Sequence, residues 1–258
     1  MKIALWQAAP TDGRIEAVFS AICQQLRAAA AAGARMLVLP ELILPGYNRP
    51  DLHAALAQPL TGEWIARLRE MARDAGCGLC LGWAERDGAR VYNAATVIGA
   101  DGAILSHYRK IQLFGAMEQA GFARGSGLGP VFALEGRKAA TLVCYDIEFH
   151  GHAARLGAEG ARLILVPTAN PLGYEHVQHV LVPARAHENM AVVAYANYFG
   201  TENGLTYGGQ SVIVGPEGLP LARAGARGEA LLVVDLAGAE AVPQEGLAAL
   251  SQEYRPAQ

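Results

Sequence analysis

The chain has 258 residues, 52% of them hydrophobic, which is enough to bury one large core. Its formal net charge is -3, with no basic stripe and no polybasic run, which argues against nucleic acid and anionic lipid as partners. The stretch Met1–Trp6 is too short for a signal sequence and no uncharged apolar run is long enough to cross a bilayer, so a cytoplasmic protein with no membrane partner is expected.

Strand and helix signals alternate along the chain. Lys2–Ala8 is a short apolar run and predicts a strand. Ile15, Val18, Ile22 and Leu26 then recur at helical spacing, and Gly33 stops that helix. Met36–Leu39 reads as a second buried strand, ended by Pro40-Glu41. Trp64, Ile65, Leu68, Met71 and Ala72 mark an amphipathic helix closed by Gly76. Strands follow around Gly78–Ala84 and Val91–Ile98, and the turn Gly99-Ala100-Asp101-Gly102 leads into a strand over Ala103–Tyr108.

The second half repeats the style. Ala139–Cys144 is a strand, Ala153–Glu159 a helix and Leu163–Val166 a strand. A helix covers about Val177–Asn189, and Val192–Ala196 is again a strand. Ser211–Val214 and Leu231–Asp235 are later strands, with the turn Gly215-Pro216-Glu217-Gly218 between them. There is no low-complexity linker, so one domain over 1–236 is expected, followed by a tail over 237–258 that packs on a partner subunit. Helices between strands on both sides imply a layered α/β fold with covered sheets.

The four cysteines, Cys23, Cys77, Cys80 and Cys144, do not suggest a disulfide framework. Cys77-Gly78-Leu79-Cys80 has redox or zinc spacing but stands without a second pair. The buried strand over Gly78–Gly82 places these thiols in or near the core, where a free cysteine behaves as a small hydrophobe.

Three chemically able residues occupy comparable places. Glu41 follows the strand ending at Leu39, Lys110 follows the strand ending near Tyr108, and Cys144 ends the run Ala140-Thr141-Leu142-Val143. Active sites in α/β folds lie at the carboxyl ends of strands. Taken singly, a cysteine after an apolar strand is usually core, and a Glu or Lys at a strand end is usually solvated. Together they make a complete set. A thiol near a helix start favours thiolate. A carboxylate can take its proton and later activate water, and an ammonium can hold an oxyanion with the N–H of Tyr145 as second donor.

Leu39-Pro40-Glu41-Leu42, Tyr108-Arg109-Lys110-Ile111 and Val143-Cys144-Tyr145-Asp146 resemble the three signature segments of the nitrilase superfamily, the carbon–nitrogen hydrolases, in the family's order. The resemblance extends from Lys2 to about Asp235. It implies a four-layer α-β-β-α sandwich and a Glu41–Lys110–Cys144 triad. It also implies a homodimer, or a higher homo-oligomer, stacked through helices. Leu113-Phe114-Gly115 with Glu118, Phe122 and Gly125 is similar to the family's second-glutamate segment and gives Glu118 the task of orienting substrate and lysine. Arg124 stands where that pattern usually has Pro. Arg185–Asn189 resembles a helix that packs at the family's dimer interface, although its charges can equally pair within the fold.

One segment departs from the family. After Cys144–Phe149 the pattern usually continues Pro-Glu, whereas this chain has His150-Gly151-His152. The replaced Glu normally supports the nucleophile loop. With His176 and His179, the pair His150 and His152 offers a metal reading, but the spacing is unspecific and no metal is expected. No organic cofactor is expected either, because side chains supply nucleophile, base and oxyanion donor.

The subfamily look favours an amidase that turns a small carboxamide into acid and ammonia through a thioester. Cys144–Phe149, Val166–Asn170 and Ala194–Tyr198 resemble bacterial amidases of broad or stereoselective type. An N-carbamoyl amine hydrolase is the runner-up and a nitrilase the third reading. A catalytically inactive binding protein on this fold is the alternative of another class, against which stand the intact Glu41, Lys110, Cys144 and Glu118. Tyr47, Tyr145, Glu148 and Asn170 are the expected substrate contacts. Glu148 favours a cationic substrate, unless it pairs with Arg155 or Arg185; Glu175 and Glu202 are expected to flank the same face.

Overall fold

The computed structural model describes residues 1–237, 239 and 250. Its first sheet contains β1 (Lys2–Gln7), β2 (Ala34–Val38), β3 (Gly78–Asp87), β4 (Arg90–Ile98), β5 (Ile104–Arg109) and β14 (Ala230–Asp235), in the order β14-β1-β2-β3-β4-β5. β1, β2 and β3 are parallel and β4, β5 and β14 add antiparallel. Parallel neighbours need long crossovers. These carry α1 (Ile15–Ala31), α2 (Pro50–Leu56) and α3 (Glu63–Ala75).

The second sheet repeats the plan. It contains β6 (Phe132–Leu134), β7 (Arg137–Thr141), β8 (Leu163–Pro167), β9 (Val192–Ala196), β12 (Val212–Val214) and β13 (Pro220–Arg223), in the order β13-β12-β9-β8-β7-β6. β7, β8 and β9 are its parallel centre, and α5 (His150–Ala158) and α6 (Val182–Glu188) lie on the crossovers.

Three apolar layers follow from the strand pattern. Ile3, Leu5, Met36, Val38 and Val97 of the first sheet meet Leu163, Leu165, Ala194 and Ile213 of the second, so the sheets stack face to face. Their alternate residues, such as Ala4, Leu37 and Leu79, pack under Phe19, Ile22, Leu26, Ile65 and Leu68 of the helices. On the other side Ile164, Val166 and Val193 pack against Ala153, Leu156, Val182 and Ala186. The result is an α-β-β-α sandwich, buried on both faces of each sheet as parallel strands require.

Several boundaries differ from the sequence reading. β7 stops at Thr141, because Cys144 adopts φ 45°, which no strand residue can. α5 starts at His150 rather than Ala153. The expected helix over about Val177–Asn189 is present, with a π-helical first stretch, Val177–Leu181, that runs directly into α6. The turn at 215–218 joins β12 to β13, an edge strand the sequence reading passed over. It also missed α2, α4 (Gly115–Gly121), β6 and the hairpin of β10 (Phe199–Glu202) and β11 (Leu205–Gly208). That hairpin turns at Asn203-Gly204, a pair that suits such a turn.

Cys77 and Cys80 are buried and free, Cys77 in the helix-side layer and Cys80 between the sheets. Burial raises both thiols, Cys77 to about 11. The expected tail over 237–258 lies outside the described residues except for Ala237, Ala239 and Leu250. Among the described residues no helix is long and apolar enough to cross a membrane.

Candidate active site

Glu41 lies three residues past the end of β2, in a loop that rests directly on β3. Gly82 makes that contact possible: a Cβ there would stand 2.5 Å from both Glu41 Cα and the Leu42 nitrogen. The Gly82 N–H donates to the Pro40 carbonyl at 3.1 Å, and the Ile43 N–H donates to the Gly82 carbonyl at 2.9 Å. The other sheet holds the loop from the opposite side. Glu41 N–H donates to the Thr168 carbonyl at 3.2 Å, and the Tyr198 hydroxyl donates to the Glu41 carbonyl at 3.0 Å.

Lys110 follows β5 immediately. Its ammonium donates to Glu41 Oε1 at 2.6 Å and to Glu118 Oε1 at 2.8 Å, and all three side chains are fully buried. Glu118 projects from the first turn of α4. Its Oε1 also accepts the Tyr47 hydroxyl at 2.8 Å, while Oε2 accepts the Phe114 N–H at 3.0 Å. Asn93 Nδ2 donates to Glu41 Oε1 at 2.7 Å. Glu41 Oε2 is buried and takes no hydrogen bond among the described residues.

Cys144 opens a five-residue 3-10 turn, Cys144–Glu148, that interrupts the run from β7 to α5. Its positive φ is costly for a residue with a side chain and persists only where the surroundings hold it. Tyr145 is the second residue of the turn, so its N–H has no acceptor within the turn.

The charges explain the protonation pattern. Burial pushes the Glu41 carboxyl up to about 7, against the pull of Lys110 and with the push of Glu118. Burial opposes the Lys110 ammonium, but Glu118 and Glu41 outweigh it and hold the lysine well above its ordinary value. The Cys144 thiol is also held well above its ordinary value, by burial first and by the Glu41 charge; Lys110, the Thr168 hydroxyl and the Ala169 N–H pull the other way. Burial and the Glu41 charge thus favour the neutral Cys144 thiol, beside a carboxyl with one oxygen free of hydrogen bonds among the described residues. The sequence predicts a thiolate at a helix start; Cys144 instead opens a short 3-10 turn, and α5 begins six residues further on, at His150.

Residues 2–244 match the family model described as carbon-nitrogen hydrolase. The chain belongs to this family. It is 42% identical over 236 residues to "Hydrolase in pqqF 5'region" of Pseudomonas protegens, covering 90% of this chain and 81% of the relative. It is 32% identical over 237 residues to an (R)-stereoselective amidase of a Pseudomonas species, covering 92% of this chain and 85% of the relative. An amidase from Nesterenkonia sp. AN1, solved with acrylamide added to its active-site cysteine, superposes with a TM-score of 0.88 at 36% identity, over 95% of this chain and 97% of that one. This carbon–nitrogen hydrolase thus has the nitrilase-superfamily sandwich, and it is an enzyme acting on C–N bonds.

Of the expected site residues, the hydrolase brings Glu41, Lys110 and Glu118 into direct contact and sets Cys144 within their electrostatic reach. Tyr47 is buried against Glu118. Both amide protons of Asn170 are already used, on the Tyr174 carbonyl and on Gln178 Oε1. Tyr145 is half-buried and stacks edge-on with Phe114 and Phe149. Glu148 is half-buried and its carboxyl is raised by burial, with His176 and Lys110 pulling it back. It pairs with neither expected arginine: Arg155 bonds Glu159, and Arg185 bonds Glu188 and the carbonyls of Ile147 and Glu148. Glu202 Oε2 accepts the Asn48 N–H and the Tyr207 hydroxyl, and its buried Oε1 takes no hydrogen bond among the described residues. Arg124 closes its loop on the Ile111 carbonyl at 3.0 Å.

The histidines separate. His179 lies between Gln210 and Arg223, and His152 Nδ1 lies 3.9 Å from Asp146. Among the described residues no group of three His, Cys, Asp or Glu side chains could hold a metal. Sequence reading missed Asn93 and Thr168. Asn93 had a signal, as a polar residue inside the apolar run of β4. Thr168 had none beyond its place one residue past β8.

Proposed function

We propose that this hydrolase is an amidase that converts a small carboxamide to the carboxylic acid and ammonia through a Cys144 thioester. The observation that carries the reading is Glu41 Oε2, a buried carboxylate oxygen without a partner among the described residues, on a group whose other oxygen is held by Lys110 and Asn93. Cys144 Sγ attacks the amide carbon while Oε2 takes the thiol proton. Lys110 and the Tyr145 N–H receive the oxyanion. The proton passes from Glu41 to the amine nitrogen, ammonia leaves and a thioester remains. Glu41 then takes a proton from water, whose oxygen attacks the thioester carbon; the C–S bond breaks, the carboxylic acid leaves, and Glu41 returns the proton to the Cys144 sulfur. Glu118 keeps the ammonium oriented, which suits a lysine that must stay charged throughout.

Glu148 supports a finer reading, a preference for neutral or amine-bearing amides. Its carboxylate has no hydrogen bond or ion pair among the described residues and lies within the field of Lys110. The test is ammonia release from a panel of carboxamides, N-carbamoyl amines and nitriles, for wild type and Cys144→Ala, with and without EDTA. Amide turnover that survives EDTA and vanishes in Cys144→Ala is expected. Turnover by Cys144→Ala, or ammonia from the ureido compounds or nitriles alone, would overturn the reading.

A further inference from the structure

The Asp146 side chain reaches both strands of chemistry at once. Its Oδ2 accepts the Tyr108 hydroxyl at 2.8 Å and the Val143 N–H at 3.3 Å. Its Oδ1 accepts the Gln112 N–H at 2.8 Å. Tyr108 lies two residues before Lys110 and Gln112 two residues after it, so one carboxylate grips the chain on both sides of the lysine. Val143 is the residue directly before Cys144. Asp146 is fully buried and Tyr108 nearly so.

The turn needs such a brace. Cys144 is at φ 45°, a conformation that relaxes unless it is held. The residues that follow offer no carboxylate, because α5 opens with His150-Gly151-His152. Glu148, the other acid of the turn, makes no hydrogen bond or ion pair among the described residues and feels the charges of His176 and Lys110. Arg185 steadies only the far end, through the carbonyls of Ile147 and Glu148.

We propose that Asp146, tied to Tyr108, is the positioning residue that fixes the Cys144 turn against the Lys110 strand. It touches neither substrate nor sulfur. It sets the separation between the thiol and the ammonium that must share one tetrahedral intermediate. The inference rests on the roles given above to Cys144 and Lys110.

Two readouts test it, one of which needs no substrate. The first is kcat and KM for a carboxamide. The second is the pH dependence of Cys144 alkylation by iodoacetamide, followed on the Cys144 peptide by mass spectrometry. Tyr108→Phe keeps the ring and removes one donor; kcat should fall about tenfold with KM nearly unchanged. Asp146→Asn cannot accept all three donors, and kcat should fall about a hundredfold, the scale of a 1 Å misplacement. In both variants the alkylation midpoint should move to higher pH, because a displaced Lys110 stabilises the thiolate less. A purely structural role would lower the melting temperature and leave both readouts in place. If Asp146→Asn does not fold, Tyr108→Phe decides. Wild-type kcat and an unmoved alkylation midpoint in Tyr108→Phe overturn the proposal. If wild type hydrolyses no amide, the proposed activity fails, and the alkylation midpoint still decides whether Asp146 couples thiol to lysine.

Discussion

Asn93 donates to Glu41 through the same carboxylate oxygen that receives the Lys110 ammonium. That sharing leaves Oε2 as the atom free to take a proton, on a carboxyl raised by burial to about 7. Below that pH Glu41 is protonated and cannot act as base, so kcat/KM should climb through about pH 7 and level off above it. The upper limb should be flat into mild alkali, because Lys110 is held well above its ordinary value. Asn93→Ala removes a donor that favours the carboxylate. Its profile should shift to higher pH, with activity near pH 7 reduced about tenfold. An acid limb that stays in place in Asn93→Ala contradicts this.

Glu41→Gln and Lys110→Ala should each lower kcat about a thousandfold, one by removing the base and the other an oxyanion donor. The double variant should be little worse than either single one, since members of a catalytic unit are not additive. Steady-state kinetics of the three variants measure this. Effects that multiply would show that the two side chains act independently.

Glu148→Gln should change substrate preference more than rate. Wild type is expected to favour an amine-bearing amide over a matched amide with a terminal carboxylate, and the substitution should narrow that ratio by about tenfold, one charge interaction at short range in a partly screened site. The measurement is kcat/KM for the matched pair. An unchanged ratio clears Glu148 of the role.

Glu85 braces the lysine strand from outside the site. It accepts Arg109 at 2.6 and 2.7 Å and lies 3.0 Å from His107, both on β5. Burial alone would raise this carboxyl, but His107 and Arg109 outweigh it and bring it to about 2. A depressed carboxyl contributes stability above its unfolded value near 4.3, and that contribution fades as pH falls toward the folded value. Glu85→Gln should therefore cost about 2 kcal/mol at pH 7, less than for a wholly buried pair because Arg109 is partly exposed. Urea unfolding should show the gap between the two proteins closing as pH drops toward about 2. A gap that is constant with pH rules out the ion pair as its source.

Phe149, Leu172 and Val180 are exposed around α5 and the turn before α6. If this face joins two copies, light scattering at micromolar concentration should give at least twice the 27.2 kDa of one chain. Val180→Glu, at a position 59% exposed, should shift the mass toward the monomer. A wild-type protein found only as a monomer contradicts the assembly.

The central strands of both halves were legible because buried parallel strands read as apolar runs, as in Leu163–Val166 and Val192–Ala196, although their order within each sheet was not. Glu41, Lys110 and Cys144 were legible as strand-end residues within three recognisable segments. The contacts that tune them were not. Asn93 and Tyr47 come from segments far from the residues they touch, and no local period reports such a meeting. The state of the thiol was also out of reach, since it depends on how deeply the Cys144 turn is buried and on where α5 begins. Short elements such as β6, β13 and α4 escaped because three to seven residues are too few to show a period.

The most direct test of the central claim is the mass of the enzyme during turnover. A carboxamide reaction quenched in acid within milliseconds should carry the acyl group on the Cys144 peptide, and Cys144→Ala quenched alike should carry none. An enzyme that releases ammonia at full rate while Cys144 is never acylated under any quench, and that continues to do so as Cys144→Ala, contradicts the thioester route.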